Sequence, residues 1–168
     1  MDAHSYHGVV NMNILLRSTG ILSSLGIGID EFEAGLNSGE SGIFQETSYE
    51  YDCGELGGLF DLSEFTDTTY HYLDNAAGFS IAVIKMALDQ AGLSKIEDEY
   101  STGLVLGSIW GCSSTMQVFQ NKILESGPRY ATPFMFSNSF PNSPATIASI
   151  EFRIRGYNMV FSGCANSG

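Results

Sequence analysis

The stretch that most constrains this chain is its last, Tyr157-Asn158-Met159-Val160-Phe161-Ser162-Gly163-Cys164-Ala165-Asn166-Ser167-Gly168. Residues 157–161 are β-prone, and they stop at a cluster of small residues with one thiol in its middle and helix-opening residues behind it. A strand that turns sharply into a helix needs small neighbours at the turn, and it holds the side chain there over the helix N-terminus. Free backbone N–H groups and the positive end of the helix dipole then stabilise a thiolate and lower its pKa. With Gly168 four residues beyond Cys164, the chain is expected to be truncated just after this turn.

Composition narrows the function classes. At 168 residues with 43% apolar and 12% aromatic content, the chain can bury the core of one domain and is not of disordered type. Nineteen acidic residues against seven basic ones give a net charge of −12, which speaks against a nucleic-acid surface and against electrostatic attachment to an anionic membrane. No apolar run approaches the roughly 20 residues that span a bilayer. Met1-Asp2-Ala3-His4-Ser5-Tyr6-His7 lacks the basic flank of a signal peptide, so a cytoplasmic location is expected. Three cysteines without a close pair supply neither a disulfide framework nor a metal ligand set.

Residues 1–13 read as a polar lead-in. Residues 13–16 form a first buried-strand candidate, followed by a glycine- and serine-rich turn that fits neither phosphate-binding glycine motif. Asp30 is the expected N-cap of a short helix in which Phe32 and Leu36 share a face and Gly39 is the stop. Residues 40–72 carry no sustained period and read as irregular connection, with one short strand near 58–61 and with His71 given no role. From Asp74 the spacing of Ala77, Ile81, Ile84, Leu88 and Ala91 predicts a helix closed by Gly92. Residues 102–107 are an apolar strand of the kind buried in parallel sheets. A helix capped by Ser113 or Ser114 follows, with Met116, Phe119 and Ile123 on one face and Gly127-Pro128 as its end. After a proline- and aromatic-rich segment comes a helix through Ala145, Ile147, Ala148 and Ile150, with Arg153 and Arg155 expected in its last turn. The alternation of strands and helices predicts a layered α/β domain with a mixed, mainly parallel sheet.

Several landmarks together resemble the N-terminal half of a β-ketoacyl synthase, a 3-oxoacyl-[acyl-carrier-protein] synthase of the thiolase-like superfamily. Gly20-Ile21-Leu22-Ser23-Ser24-Leu25-Gly26 is similar to that family's opening G-x-x-S-P-L-G turn, and Leu36-Asn37-Ser38-Gly39-Glu40-Ser41-Gly42-Ile43 to its L-x-x-G-x-S-G-I. Gly103-Leu104-Val105-Leu106-Gly107-Ser108, Pro133-Phe134, the segment from Asn138 to Ala145, Ile154-Arg155-Gly156 and Ser162-Gly163-Cys164-Ala165 follow in family order. Arg17 and Ser18 depart from the usual Thr-Gly, Ser24 replaces the proline, and Asn166 stands where serine or threonine is common. The resemblance covers residues 14–168, read as the N-terminal domain with the C-terminal half absent.

The resemblance implies a thiolase-like fold and a decarboxylative Claisen condensation in fatty-acid or polyketide synthesis. Cys164 is the implied nucleophile, and its backbone N–H the implied donor to an oxyanion hole. Trp110 is implied at the floor of the acyl pocket, where an indole would favour short acyl primers; a tryptophan filling the core is the equal alternative. Phe134 and Met135 resemble a loop that crosses a two-fold interface towards the partner's pocket, which implies a homodimer or a separate chain supplying the other half; the alternative is a hydrophobic loop packed inside its own subunit. Acyl carrier protein is the implied partner, its phosphopantetheine carrying the acyl group, with no resident cofactor and no metal. A docking patch is expected to be local, near Lys122, Arg129 or Arg153, or to lie in the missing half, because carrier proteins are acidic like this chain. The catalytic histidines of the family have no counterpart in His4, His7 or His71. Cys53 and Cys112 read as small hydrophobes. Three other readings stay open: a non-catalytic partner of chain-length-factor type, an inactive fragment, and a coenzyme-A-using acyltransferase of the same fold.

Overall fold

The computed structural model describes residues 14–45, 52–53 and 60–163. Its strands form three two-stranded pieces. The hairpin β1 (Leu22–Ser23) with β2 (Gly26–Ile27) and the pair β3 (Phe44–Gln45) with β4 (Asp52–Cys53) are antiparallel. The third piece pairs β5 (Leu104–Gly107) with β6 (Asn158–Phe161) in parallel, Leu104 opposite Asn158 and Gly107 opposite Phe161. Between them run the helices α1 (Ile29–Ser38), α2 (Asn75–Gln90), α3 (Ser113–Ser126), α4 (Pro133–Asn138) and α5 (Ser143–Glu151).

The expected helices at 30–38, 74–91, 113–126 and 145–150 are present, each with a definable local cause. α1 stops at Gly39, whose φ of 72° is the left-handed conformation that ends helices. Its N-cap position is Gly28 rather than Asp30; Asp30 and Glu31 occupy the first turn, and the Glu31 carboxylate accepts the Ile27 N–H at 2.8 Å. α2 starts at the expected Asp74, and Ala77, Gly78, Ser80, Ile81 and Ala82 are buried on it. It packs mainly on α5, which contributes the fully buried Ala145 and Ala148. These small residues bring the two helices close around Ile81, and there the core sits.

The N-cap position of α3 is Cys112 rather than Ser113 or Ser114, and three further expectations are corrected. Ile14, Leu15 and Leu16 form no strand and are 86–90% exposed, because no neighbouring strand among the described residues offers them a ladder. Residues 60–61 are not a strand either; a short 3-10 turn at Leu62–Glu64 follows them, and 58–59 lie outside the described residues. α5 ends at Glu151, so Arg153 and Arg155 are not in its last turn. Arg153 takes a left-handed φ of 56°, and both guanidinium groups turn to Glu99, each at 3.0 Å.

Two carboxylates tie separate segments together. Glu151 accepts hydrogen bonds from the hydroxyls of Thr66 and Tyr70, fastening residues 60–70 to the end of α5. Asp74 is 5% exposed and serves two helices at once: Oδ1 accepts the Ala76 N–H at 3.0 Å, while Oδ2 accepts the Thr115 N–H at 3.0 Å and the Ser114 hydroxyl at 2.7 Å. Desolvation raises the pKa of each group, but the donated hydrogen bonds outweigh it and hold both below the usual carboxylate range. A carboxylate depressed in the folded state stabilises above its unfolded value of about 4, and that contribution is lost as the pH falls through the folded value. The urea midpoint of wild type should therefore exceed that of Glu151→Gln at neutral pH, with the gap closing as the pH approaches about 2. A gap that stays constant with pH would overturn this assignment.

Candidate active site

The parallel pair aligns the C-terminal ends of β5 and β6, so residues 108–112 and residues 162–163 leave the sheet at the same end. In open α/β sheets that is the end at which ligands bind. The Ser108 N–H donates to the Phe161 carbonyl at 2.9 Å, extending the ladder one step beyond β5 and holding the two exits side by side. Cys164 itself lies outside the described residues, as do Cys53's side chain, His4 and His7. What is described is the approach to Cys164: β6, then Ser162 and Gly163.

The 108–112 loop is tightly held. The Gly111 N–H donates to Ser108 Oγ at 2.8 Å, and Gly111 has a φ of 53°. A Cβ there would lie 2.8 Å from Pro141 Cα, so glycine lets the loop press against the segment before α5. Cys112 is 1% exposed; burial first, and then the neighbouring Asp74 carboxylate, pushes its thiol up to about 12. Such a thiol stays protonated and unreactive at neutral pH, in keeping with its reading as a small hydrophobe. Trp110 projects from this loop with 78% of its surface exposed, so it fills no core among the described residues.

The segment after α3 is more ordered than its sequence suggests. Residues 133–138 form α4 with Pro133 in its first turn, where proline's missing N–H costs nothing. Met135 is buried inside this subunit, whereas Phe134 and Phe136 on either side of it are at least half exposed. Phe136 stands edge-on to Phe140 at 4.9 Å and tilted against Phe119 at 5.6 Å. An apolar groove of about 350 Å3 runs between Phe136, Phe140, Ile147 and Ile150. A second cleft, of about 220 Å3, is lined by Tyr72, Asp74, Ser114, Val118 and Met135. Of the expected docking cations, Arg153 is engaged by Glu99, and the Lys122 ammonium donates to Thr132 Oγ1 at 3.2 Å.

The chain is 26% identical over 162 residues to 3-oxoacyl-[acyl-carrier-protein] synthase 2 of Vibrio harveyi, covering 92% of this chain and 39% of that protein. It is 29% identical over 163 residues to 3-oxoacyl-[acyl-carrier-protein] synthase 1 of Haemophilus influenzae, covering 88% of this chain and 38% of that one. The chain resembles the N-terminal half of a β-ketoacyl synthase. Among solved structures, the ishigamide ketosynthase/chain length factor superposes with a TM-score of 0.75 at 22% identity, over 88% of this chain and 39% of that one. A β-ketoacyl synthase from Burkholderia phymatum superposes with a TM-score of 0.75 at 20% identity, over 90% of this chain and 40% of that one. These superpositions establish the thiolase-like α/β fold. No family model matches the sequence. The chain spans about two-fifths of the length of the curated relatives it matches. Among the described residues no helix is long and apolar enough to cross a membrane.

Of the residues the resemblance implicates in substrate binding, Trp110 and Phe134 face outward, and Met135 lines the cleft beside Asp74. Asp74 was legible as the start of α2. Its hold on α3 was not, since nothing local to residues 113–115 signals a cap supplied from so far upstream.

Proposed function

We propose that the chain is the nucleophile-bearing part of a β-ketoacyl-[acyl-carrier-protein] synthase acting in fatty-acid or polyketide synthesis. The observation that carries this reading is β6, paired in parallel with β5 and leading directly into Ser162-Gly163-Cys164-Ala165. The Cys164 thiolate attacks the carbonyl of an acyl thioester on the phosphopantetheine arm of acyl carrier protein. The carbonyl–sulfur bond to the arm breaks, the arm leaves as a thiolate that takes its proton from solvent, and the acyl group stays on Cys164 as a new thioester. The Cys164 backbone N–H supplies one donor to the tetrahedral oxyanion. Malonyl carrier protein then loses carbon dioxide, and the resulting carbanion displaces the cysteine sulfur to give the 3-oxoacyl product. This chemistry needs no metal and no resident cofactor.

The second stage draws on groups from the rest of the length that the relatives have, within one chain or from a partner. The exposed Phe134, Phe136 and Ile150 beside the apolar groove support an interface on that side, either a homodimer or a separate complementing chain. Similarity to a structure described as a ketosynthase/chain length factor supports the second arrangement and also a non-catalytic partner role; Cys164 favours the catalytic one. A cytoplasmic location belongs to the same reading. Trp110, at the end of the sheet where Cys164 follows, limits the acyl chain to short lengths.

Intact-protein mass spectrometry after incubation with acyl carrier protein or coenzyme A thioesters of graded length tests the proposal. A single acyl adduct is expected, largest with short acyl groups and lost in Cys164→Ala. A folded wild type that takes up no acyl group, or an adduct that survives in Cys164→Ala, would overturn it.

A further inference from the structure

We infer that Asp74 is a positioning residue for the loop that carries Trp110. The indole is 78% exposed, so its own contacts do not fix where it stands; the loop must. That loop is strung between two anchors. One is the end of β5, where the Ser108 N–H meets the Phe161 carbonyl at 2.9 Å. The other is the first turn of α3, and this turn has no cap of its own, because Cys112 at the N-cap position offers no side-chain hydrogen bond. Helices leave their first N–H groups unsatisfied, and here one of them, at Thr115, is taken by Asp74 Oδ2 at 3.0 Å. The Ser114 hydroxyl donates to the same oxygen at 2.7 Å.

The other carboxylate oxygen is bound to the start of α2, through the Ala76 N–H at 3.0 Å. Asp74 is therefore a bracket between a helix packed in the core and the helix whose first turn ends the Trp110 loop. The loop has little slack, since Gly111 is pressed onto Pro141 and Cys112 is sealed at 1% exposure. Releasing the bracket frees the start of α3 and lets the Cys112 end of the loop move. The consequence for acyl-chain length rests on the proposed function; the positioning itself does not.

Trp110 is the chain's single tryptophan, so its emission reports on this loop without a label. Time-resolved anisotropy of Trp110 should be recorded for wild type, Asp74→Asn, Asp74→Ala and Ser114→Ala, with helix content followed by circular dichroism. Ser114→Ala removes one hydrogen bond at the helix start and should keep wild-type helix content while the fast component of the decay grows, about doubling in amplitude. Asp74→Asn, which cannot hold both helices with its single acceptor oxygen, should show a larger increase at similar helix content. If both variants fold with wild-type helix content and wild-type anisotropy, the inference is wrong, whatever becomes of Asp74→Ala. Failure of the proposed function would appear separately, as an absent Cys164 adduct with the anisotropy changes intact.

Discussion

Gly156→Ala should destabilise the protein by about 3 kcal/mol, the upper end of what overpacking costs. A Cβ on residue 156 would stand 2.5 Å from the carbonyl oxygens of both Tyr100 and Thr102, closer than real side chains approach. Neither oxygen is the tip of a flexible side chain that could swing aside. Both belong to the backbone leading into β5, and the Gly156 N–H already donates to the Thr102 carbonyl at 3.1 Å. The neighbouring Arg155 N–H is held on the Glu99 carbonyl at 2.7 Å, so residue 156 has no room to retreat. Relief requires the segments that lead into β5 and β6 to separate. Urea unfolding measures the effect, and a loss below about 1 kcal/mol would show that these segments are not packed as described.

Ile81→Ala is the second large effect, at about 2–5 kcal/mol. Ile81 is fully buried, as are Ala77, Ala82, Ala145 and Ala148. Short side chains hold α2 against α5, so the helices cannot close further when Ile81 is cut back, and most of the lost volume remains as a cavity. Ile84, one turn along α2 and only partly buried, is the internal control. Chemical denaturation should place Ile81→Ala well below Ile84→Ala; equal losses would put the centre of the core elsewhere.

The periodic elements were legible because their signals are local. Apolar spacing located α2, the run 102–107 located β5, and Gly39 and Gly127 marked helix ends. The failures were of two kinds. Ile14, Leu15 and Leu16 carry strand propensity, but a strand also needs a neighbour, and propensity contains no information about one. Arg153 and Arg155 follow α5 closely enough in sequence to meet its dipole, yet Glu99, far off in sequence, attracts both. α4 was hidden in a proline- and aromatic-rich segment whose opening proline is itself a helix-start signal. At the site, the strand before Cys164 was legible from its composition. The double role of Asp74 was not, because its bond to Thr115 depends on where the start of α2 meets the start of α3.

The parallel register has a bearing on the order of assembly. Leu104 meets Asn158 only after α3, α4 and α5 have been laid down between them. Closing so long a span costs chain entropy before any ladder bond is returned, whereas each intervening helix forms from near neighbours. The strand that leads to the thiol is thus among the last pieces to be captured. A chain emerging from the ribosome would complete the approach to Cys164 only once the helices between the two strands have formed.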